Sequence, residues 1–594
     1  MSAEAGAAAR AGDFAANTGL VRLSGLALLI GALSSLCAAI LLGAIRLFTN
    51  LFYFQSVSLA ANSPAANHLG AAAMLVPALG GLIVGLMARF GSEQIRGHGI
   101  PEAIEAILYG KSRMSPKIAL LKPLSSGIAI GSGGPFGAEG PIIMSGGAVA
   151  SLLAQALHLT AAERKALLVA GACAGMTAVF GTPLAAVLLA VELLLFELRP
   201  RSLLPVALSC SVAGFLRPLW AGTAPLIPLQ TEPAGMVALG SCVLAGFASG
   251  ALSASMTALL YRIEDLFARL PLHWMWWPAI GGLAVGAGGL LEPRALGVGY
   301  DVIADLLQNR LPPAGAVGLL LVKLSIWAIA LGSGTSGGVL APLLMIGAGL
   351  GSVLGHWLPG GTPSFWALVC MAAILAGTMR APMTAVVFAF GLTGDAAAFL
   401  PTLLASAIAY GFTVIVMPRS ILTEKIARRG RHVFREYGVD PLERHFIEEV
   451  MTRSVVTVPA ELPASEALRR DFGPGQRHRA YPVVDAEGRL LGMIDRQLLH
   501  ERPTTLPEPA LGAWLPARIS AAAALPSETC KAVASRLAAL GLERLPVLNP
   551  TGGGRLVGIV SRSDLLKPAQ RVHEEEVQRE RLLGGGAEAS DPPL

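Results

Sequence analysis

The chain has 594 residues, of which 53% are hydrophobic and only 14% charged, with a net charge of +6. Soluble domains carry charge on about a quarter of their residues, so a fully soluble fold is excluded for most of this chain. The positive balance does not call for nucleic acid. Lys425, Arg428, Arg429 and Arg431 cluster just after the last apolar segment, where the positive-inside rule puts the cytoplasmic flank of a membrane helix.

Residues 1–19 are Ala-rich with scattered charges and are expected to form a cytoplasmic N-terminal segment. Leu23 to Ile45 then contains no charged residue, which is length enough to cross a hydrocarbon core of roughly 30 Å as a helix. The run is too long for a signal-peptide core, so a retained helix is expected. Apolar stretches recur to about Val416, after which Arg, Glu and Asp become frequent. The first two-thirds reads as an integral, multi-pass membrane region in contact with lipid and the last third as soluble. Of the cysteines, Cys37, Cys173, Cys210, Cys242 and Cys370 fall in apolar segments and Cys530 beyond them, without metal-like spacing. They read as small buried hydrophobes.

The apolar region repeats itself. Pro77-Ala78-Leu79-Gly80-Gly81-Leu82 returns as Pro278-Ala279-Ile280-Gly281-Gly282-Leu283. Lys122 matches Lys323, Gly131-Ser132-Gly133 matches Gly332-Ser333-Gly334, and Pro141 matches Pro342, all 201 residues apart (141 and 342). Pro183 and Pro382 open two further similar segments. The halves are placed at about 70–200 and 271–416. Duplicated halves with Gly/Pro-broken segments at corresponding places point to a transporter site near the midplane. Broken helices are tolerable in a membrane only where they line a cavity or are buried in protein. Repeats of this kind run parallel or inverted, and spacing alone leaves both open.

Three broken segments follow in order: Gly97-His98-Gly99-Ile100-Pro101-Glu102, then Gly131 through Glu139 to Pro141, then Gly337-Gly338-Val339-Leu340-Ala341-Pro342. Each puts free backbone N–H groups and a positive helix end at the head of an apolar helix, which suits an anion without a full positive charge. Partial charges bind and release, whereas Lys or Arg in a low-dielectric pore would hold too tightly. Glu139, a carboxylate in a glycine loop between apolar segments, is costly unless stabilised. Two readings stand for it. It is a gate that occupies an anion position when ionised and leaves when protonated, or it is a helix N-terminal glutamate serving the dipole.

On these segments the chain resembles the CLC family of chloride channels and transporters. That family's motifs are GSGIP, GREGP and GxFxP, and this sequence has Gly-His-Gly-Ile-Pro at 97–101, Gly-Ala-Glu-Gly-Pro at 137–141 and Gly-Val-Leu-Ala-Pro at 338–342. Phe180-Gly-Thr-Pro183-Leu184-Ala185 is similar to the family's segment before its inner glutamate region. The resemblance, over 20–430, implies an all-α, inverted-repeat membrane protein of tilted and broken helices, acting as a homodimer. It implies voltage- and pH-influenced chloride transport, with Glu139 as gating glutamate and protons as a second cargo in the antiporter case. It further implies an anion site at His98, Gly99, Ile100, Val339, Leu340 and Leu422, with the Val339 and Leu340 amides on the central anion.

The departures matter. The family's motif serine is His98, its pore tyrosine is Leu422, and the motif arginine is Ala138. Glu192 matches the first of two consecutive acids, while the second, usually assigned to proton transfer, is Leu193. Glu192 therefore reads either as a substitute proton route or as a helix-end residue paired with Arg199.

In the soluble third, Ala480-Tyr-Pro-Val-Val-Asp485 and Arg544-Leu-Pro-Val-Leu548 each precede a Gly-turn and a second apolar run, Leu490–Ile494 and Leu556–Val560. Paired short strands with flanking helical patterns resemble a CBS pair, an α/β unit placed at 448–500 and 511–570. That resemblance implies a ribose contact at Ser561 and Asp564 and an adenine nucleotide as ligand. Asp495 and Leu498 take the same places in the first unit, which lacks the carboxylate there. A purely structural pair is the other reading. The tail, 571–594, is charged and then Gly/Ser/Pro-rich and is expected to be flexible.

No cofactor is required by this reading, no metal cluster is spaced for binding, and no nucleophile–base pair suggests an enzyme. A passive chloride channel, a nitrate or fluoride carrier, or another CBS-regulated transporter are the alternatives. The expected setting is a bacterial inner membrane with the CBS pair in the cytoplasm.

Overall fold

The computed structural model describes residues 19–433 and, beyond them, 441–473, 476, 478–495, 499, 510–515, 523–549, 553–570 and 574. The N-terminal segment up to 18, Leu498 and the tail from 571, Glu574 apart, lie outside the described residues. Two units separate, with Gly438–Val577 forming the smaller.

The larger unit is helical. Helices Gly19–Phe54, Gly70–Phe90, Pro200–Ala221, Val237–Ala268, Pro313–Gly332 and Phe399–Arg428 are long and apolar enough to cross a membrane. Between them lie shorter apolar helices such as Leu340–Leu354 and Pro363–Met379. The repeat is complete at the level of elements. Leu75–Phe90, Ile100–Leu108, Pro116–Gly131, Glu139–Gln155, Ala161–Phe180, Pro183–Leu189 and Pro200–Leu216 correspond in order to Trp277–Leu291, Tyr300–Leu307, Pro313–Gly332, Leu340–Leu354, Pro363–Met379, Pro382–Thr393 and Phe399–Val416.

Local signals are shared between the halves. Proline opens helices at Pro116 and Pro313 and again at Pro183 and Pro382, where its missing N–H costs nothing. Thr160 accepts from Glu163 N at 3.1 Å, and its counterpart Thr362 accepts from Phe365 N at 3.3 Å. The following C-cap is left-handed in both halves, Gly181 at φ 73° and Arg380 at φ 57°. The arginine bears that conformation while its guanidinium donates to Thr413 O at 2.7 Å.

The halves meet with twofold reciprocity. A methyl group on Gly81 would strike Pro278 O, and one on Gly282 would strike Pro77 O, so the Gly-Gly pair in each copy of the motif lets two helices cross at backbone distance. Gly137 N donates to Gly338 O at 3.2 Å, and Gly338 N returns the bond to Gly137 O at 2.8 Å. This antiparallel bridge joins equivalent residues, which is the signature of an inverted pair. The six cysteines are free thiols, all buried except Cys37, which is partly so.

In the smaller unit Val458–Pro459 lies parallel to Ala480–Val484, which pairs antiparallel with Leu490–Asp495. Arg544–Leu548 pairs antiparallel with Leu556–Ser561. Both hairpins shift register at the same place, Val483/Val484 and Val547/Leu548. Leu490 N donates to Gly554 O at 3.0 Å and Leu556 N to Gly488 O at 3.2 Å, so the two α/β modules pair turn to turn about their own pseudo-twofold.

Candidate functional site

Glu139 is the first residue of the helix Glu139–Gln155, two residues before the start that Pro141 suggests. Its side chain is fully buried. Oε1 accepts from the N–H of Leu340, and from that of Ala341 at 3.3 Å. These are the first two residues of the helix Leu340–Leu354 in the other half. Their amides have no carbonyl one turn back and point along the positive end of the dipole. A helix start of this kind is what suits a negatively charged group. Oε2 is buried with no hydrogen-bond partner among the described residues.

Backbone contact makes the seat. The reciprocal bonds between Gly137 and Gly338 staple the two loops together. A Cβ on Gly338 would lie 2.5 Å from Glu139 Cδ and 2.6 Å from Gly137 O. On Gly140, a Cβ would fall on His98 O, so the first loop is pressed against the same helix start. Ser336, just before the second-half glycines, bonds to Ser126 at 2.9 Å and Ser125 at 3.3 Å.

Two lysines brace the loops. Lys122 Nζ donates to Ile95 O and Gly97 O, both at 2.8 Å. Lys323 Nζ donates to Ala295 O and Gly297 O, both at 2.9 Å. Both lysines are fully buried. Each satisfies carbonyls that the broken helix leaves open. The sequence shows these lysines as a repeat mark; their work as braces is visible only in three dimensions.

His98 is buried, and its Nδ1 has no partner among the described residues. Ile100, Val339 and Leu422 are fully buried. The Gly99 amide, expected among the anion donors, is not free for that role: it donates to Glu102 Oε2 at 3.1 Å. The cause is the Gly99-x-x-Glu102 spacing, in which the third residue of a helix reaches back to its cap. Ala341, which the sequence reading passed over, donates its amide to the Glu139 carboxylate.

Glu102 Oε1 also takes Arg429 Nη2 at 2.9 Å, with Lys425 Nζ at 3.5 Å. Glu105, one turn on, pairs with Arg429 and with Arg431 at 3.7 Å. The helix Ile421–Arg428 and the residues after it are thus latched to the helix that follows His98. No sequence signal links positions so far apart.

Glu192 lies on a π-helical turn, Ala190–Leu195. It accepts from Met383 N at 3.2 Å, Thr384 N at 2.8 Å and Thr384 Oγ1 at 2.6 Å. This carboxylate too sits on the start of a second-half helix, Pro382–Thr393, and these partners are separate from the seat of Glu139. Leu193 beside it is buried.

In the smaller unit Ser561 N and Oγ donate to Asp564 Oδ2 at 2.9 and 2.6 Å, and Lys567 Nζ pairs with Oδ1 at 2.7 Å. Burial opposes ionisation of Asp564, but the bonds from Lys567 and Ser561 outweigh it and hold its carboxyl below the usual range. A cavity of about 550 Å³ opens beside the first hairpin, bordered by Thr457, Arg470, His478 and Tyr481 among others.

A family model described as voltage gated chloride channel matches residues 79–414, and a CBS domain model matches 447–499 and 520–570. The chain is 31% identical over 424 residues to a protein of Salmonella dublin named voltage-gated ClC-type chloride channel ClcB, covering 68% of this chain and 97% of that one. It is 30% identical over 376 residues to a putative chloride channel protein ClcB-like of Ralstonia nicotianae, covering 61% and 87%. Among solved structures, a eukaryotic CLC transporter superposes with a TM-score of 0.61 at 21% identity, covering 92% of this chain and 98% of that one. A slow cyanobacterial Cl−/H+ antiporter superposes at 0.60 and 20% identity, covering 69% and 97%. These two likenesses speak for the fold.

Proposed function

The chain belongs to the voltage gated chloride channel family, and from that premise we propose that it moves chloride, or a small anion like it, across a lipid bilayer with Glu139 as the gate. The observation that carries the proposal is the Glu139 carboxylate seated on the Leu340 and Ala341 amides. An ionised Glu139 fills the anion's place. A protonated one loses the charge that the amides hold and gives the place up. The reading sets the protein as a homodimer in a bacterial plasma membrane, with the CBS pair on the cytoplasmic side. The deciding experiment is the reversal potential of purified protein in vesicles under combined chloride and pH gradients. A shift with the proton gradient means exchange, and the chloride Nernst value means a channel. Absence of any halide flux would overturn the proposal.

The passive channel is the second reading. It is favoured by buried Leu193, where an acid would pass protons, and by buried Leu422, where a hydroxyl would narrow the inner path. Glu192 is the alternative inner proton carrier. Its carboxylate accepts from Met383 N, Thr384 N and Thr384 Oγ1, and Glu192→Gln tests whether it carries protons: loss of the pH-gradient response supports that role, and an unchanged response refutes it.

His98 takes the motif serine's place beside the seat. Imidazole both donates a hydrogen bond and gains charge on protonation. His98→Ser is expected to change the chloride-to-nitrate preference or its pH dependence; unchanged selectivity in a flux assay refutes a coordinating role. For the CBS pair the proposed ligand is an adenine nucleotide, with Asp564 turning from Ser561 and Lys567 to the ribose. Asp564→Asn is expected to weaken ATP binding at least about tenfold, the worth of a charge-assisted hydrogen bond, by calorimetry on the full chain. Equal affinity would leave the pair with a structural role.

A further inference from the structure

The repeat sets a second Gly-x-Gly turn, Gly297-Val298-Gly299, in register with Gly97-His98-Gly99. The two are built alike. Their glycines all take positive φ, 76° and 88° in the first turn and 65° and 75° in the second. Each turn is braced by its buried lysine, and each launches a helix, at Ile100 and at Tyr300.

They differ in what they present. The first helix has Glu102, which closes on the Gly99 amide; the second has Val302 in that place and begins with a tyrosine. The Tyr300 hydroxyl is buried and has no hydrogen-bond partner among the described residues. Its ring stands edge-on to Phe180 with centroids 6.0 Å apart, and Phe180 meets Phe388 at 5.0 Å. Gly297 N donates to Gly133 O at 3.0 Å, so the second turn borders the glycine loop that ends in Glu139. A Cβ on Gly299 would strike Met345, on the helix that Leu340 and Ala341 open.

A buried hydroxyl without a partner weakens the fold, and native proteins keep such groups for a water, an ion or a function. Here a lone donor and a lone carboxylate oxygen, Glu139 Oε2, belong to two turns joined by the bond from Gly297 N to Gly133 O. A phenol donates and a halide only accepts.

We propose that Tyr300 is a specificity-determining residue of the anion path, its hydroxyl donating to the anion that takes the place beside the Leu340 and Ala341 amides once Glu139 withdraws. The proposal rests on the transport reading above and adds a donor from the second turn. One localised donor rewards compact charge, so Tyr300 favours chloride over a diffuse anion such as thiocyanate.

The test is efflux of chloride and of thiocyanate from vesicles holding the full chain, for wild type, Tyr300→Phe and Tyr300→Met. Phenylalanine keeps the ring against Phe180, and methionine fills the site by another shape. In either folded variant the chloride-to-thiocyanate ratio is expected to fall about fivefold, the worth of one ordinary hydrogen bond. Tyr300→His, which restores a ring donor, is expected to recover part of the ratio. If wild type passes neither anion, the transport reading falls and takes this one with it. If wild type passes both and a folded Tyr300→Phe or Tyr300→Met keeps the wild-type ratio, Tyr300 is not a donor to the anion while the transport reading stands.

Discussion

Replacing Glu139 with glutamine is expected to raise chloride efflux from vesicles at neutral pH by at least about tenfold and to flatten its pH dependence. The carboxylate is held by two amides at the head of a helix. Hydrogen bonds to a charged group are each worth about 1.5–3 kcal/mol, and about 1.4 kcal/mol is a factor of ten in occupancy. Glutamine keeps the shape and loses the charge, so the seat empties for the transported ion. The sign with pH follows. Protonating the native carboxyl does chemically what glutamine does, so wild-type efflux is expected to rise as pH falls, and that of the variant is not. Should the variant conduct like wild type at every pH, Glu139 is only a helix-end glutamate. Should coupling to protons exist, the same substitution abolishes it.

The second large effect concerns Lys323. Lys323→Met keeps the apolar stem and deletes the ammonium that donates to Ala295 O and Gly297 O. Two buried carbonyls are then left open, at about 1–3 kcal/mol each. Relief from burying a charge works against that loss. The net cost expected is roughly 2–4 kcal/mol, a large part of the about 5–15 kcal/mol that holds a typical domain together. A lowered midpoint of thermal unfolding in detergent, with Lys323→Arg closer to wild type, is the expected result. Lys122→Met is expected to behave alike because its two bonds match. An unshifted midpoint would mean that the carbonyls find other partners and that the lysines brace nothing.

Much of the architecture was legible because the halves share rare residues. Pro-Ala-x-Gly-Gly marks the helix crossing, since only glycine permits Gly81 and Gly282 to meet carbonyls. The three Gly/Pro breaks locate the helix starts, and Glu139 stands out as a carboxylate in a glycine loop between apolar segments. What sequence could not give is aim. It places the breaks but not which amide faces which group, so that the Glu139 carboxylate meets the Leu340 and Ala341 amides is visible only in the structure. The Gly99 amide was readable in principle, because Glu102 stands at the spacing that caps it. The latch from Arg429 to Glu102 joins elements more than 300 residues apart and leaves no local trace. In the smaller unit the alternating runs revealed the hairpins, while the two-residue strand Val458–Pro459 is too short to show a period.

That latch fixes where the membrane portion ends as a workable protein. A chain cut after Val416 would retain Glu102 and Glu105 on the helix behind His98 but lose Lys425, Arg429 and Arg431. Glu102 and Glu105 would lose the cations that tie them to the helix Ile421–Arg428 and the residues after it, so the helix Ile100–Leu108 behind His98 is expected to be held less firmly. A membrane portion that keeps this latch therefore needs the chain at least to Arg431.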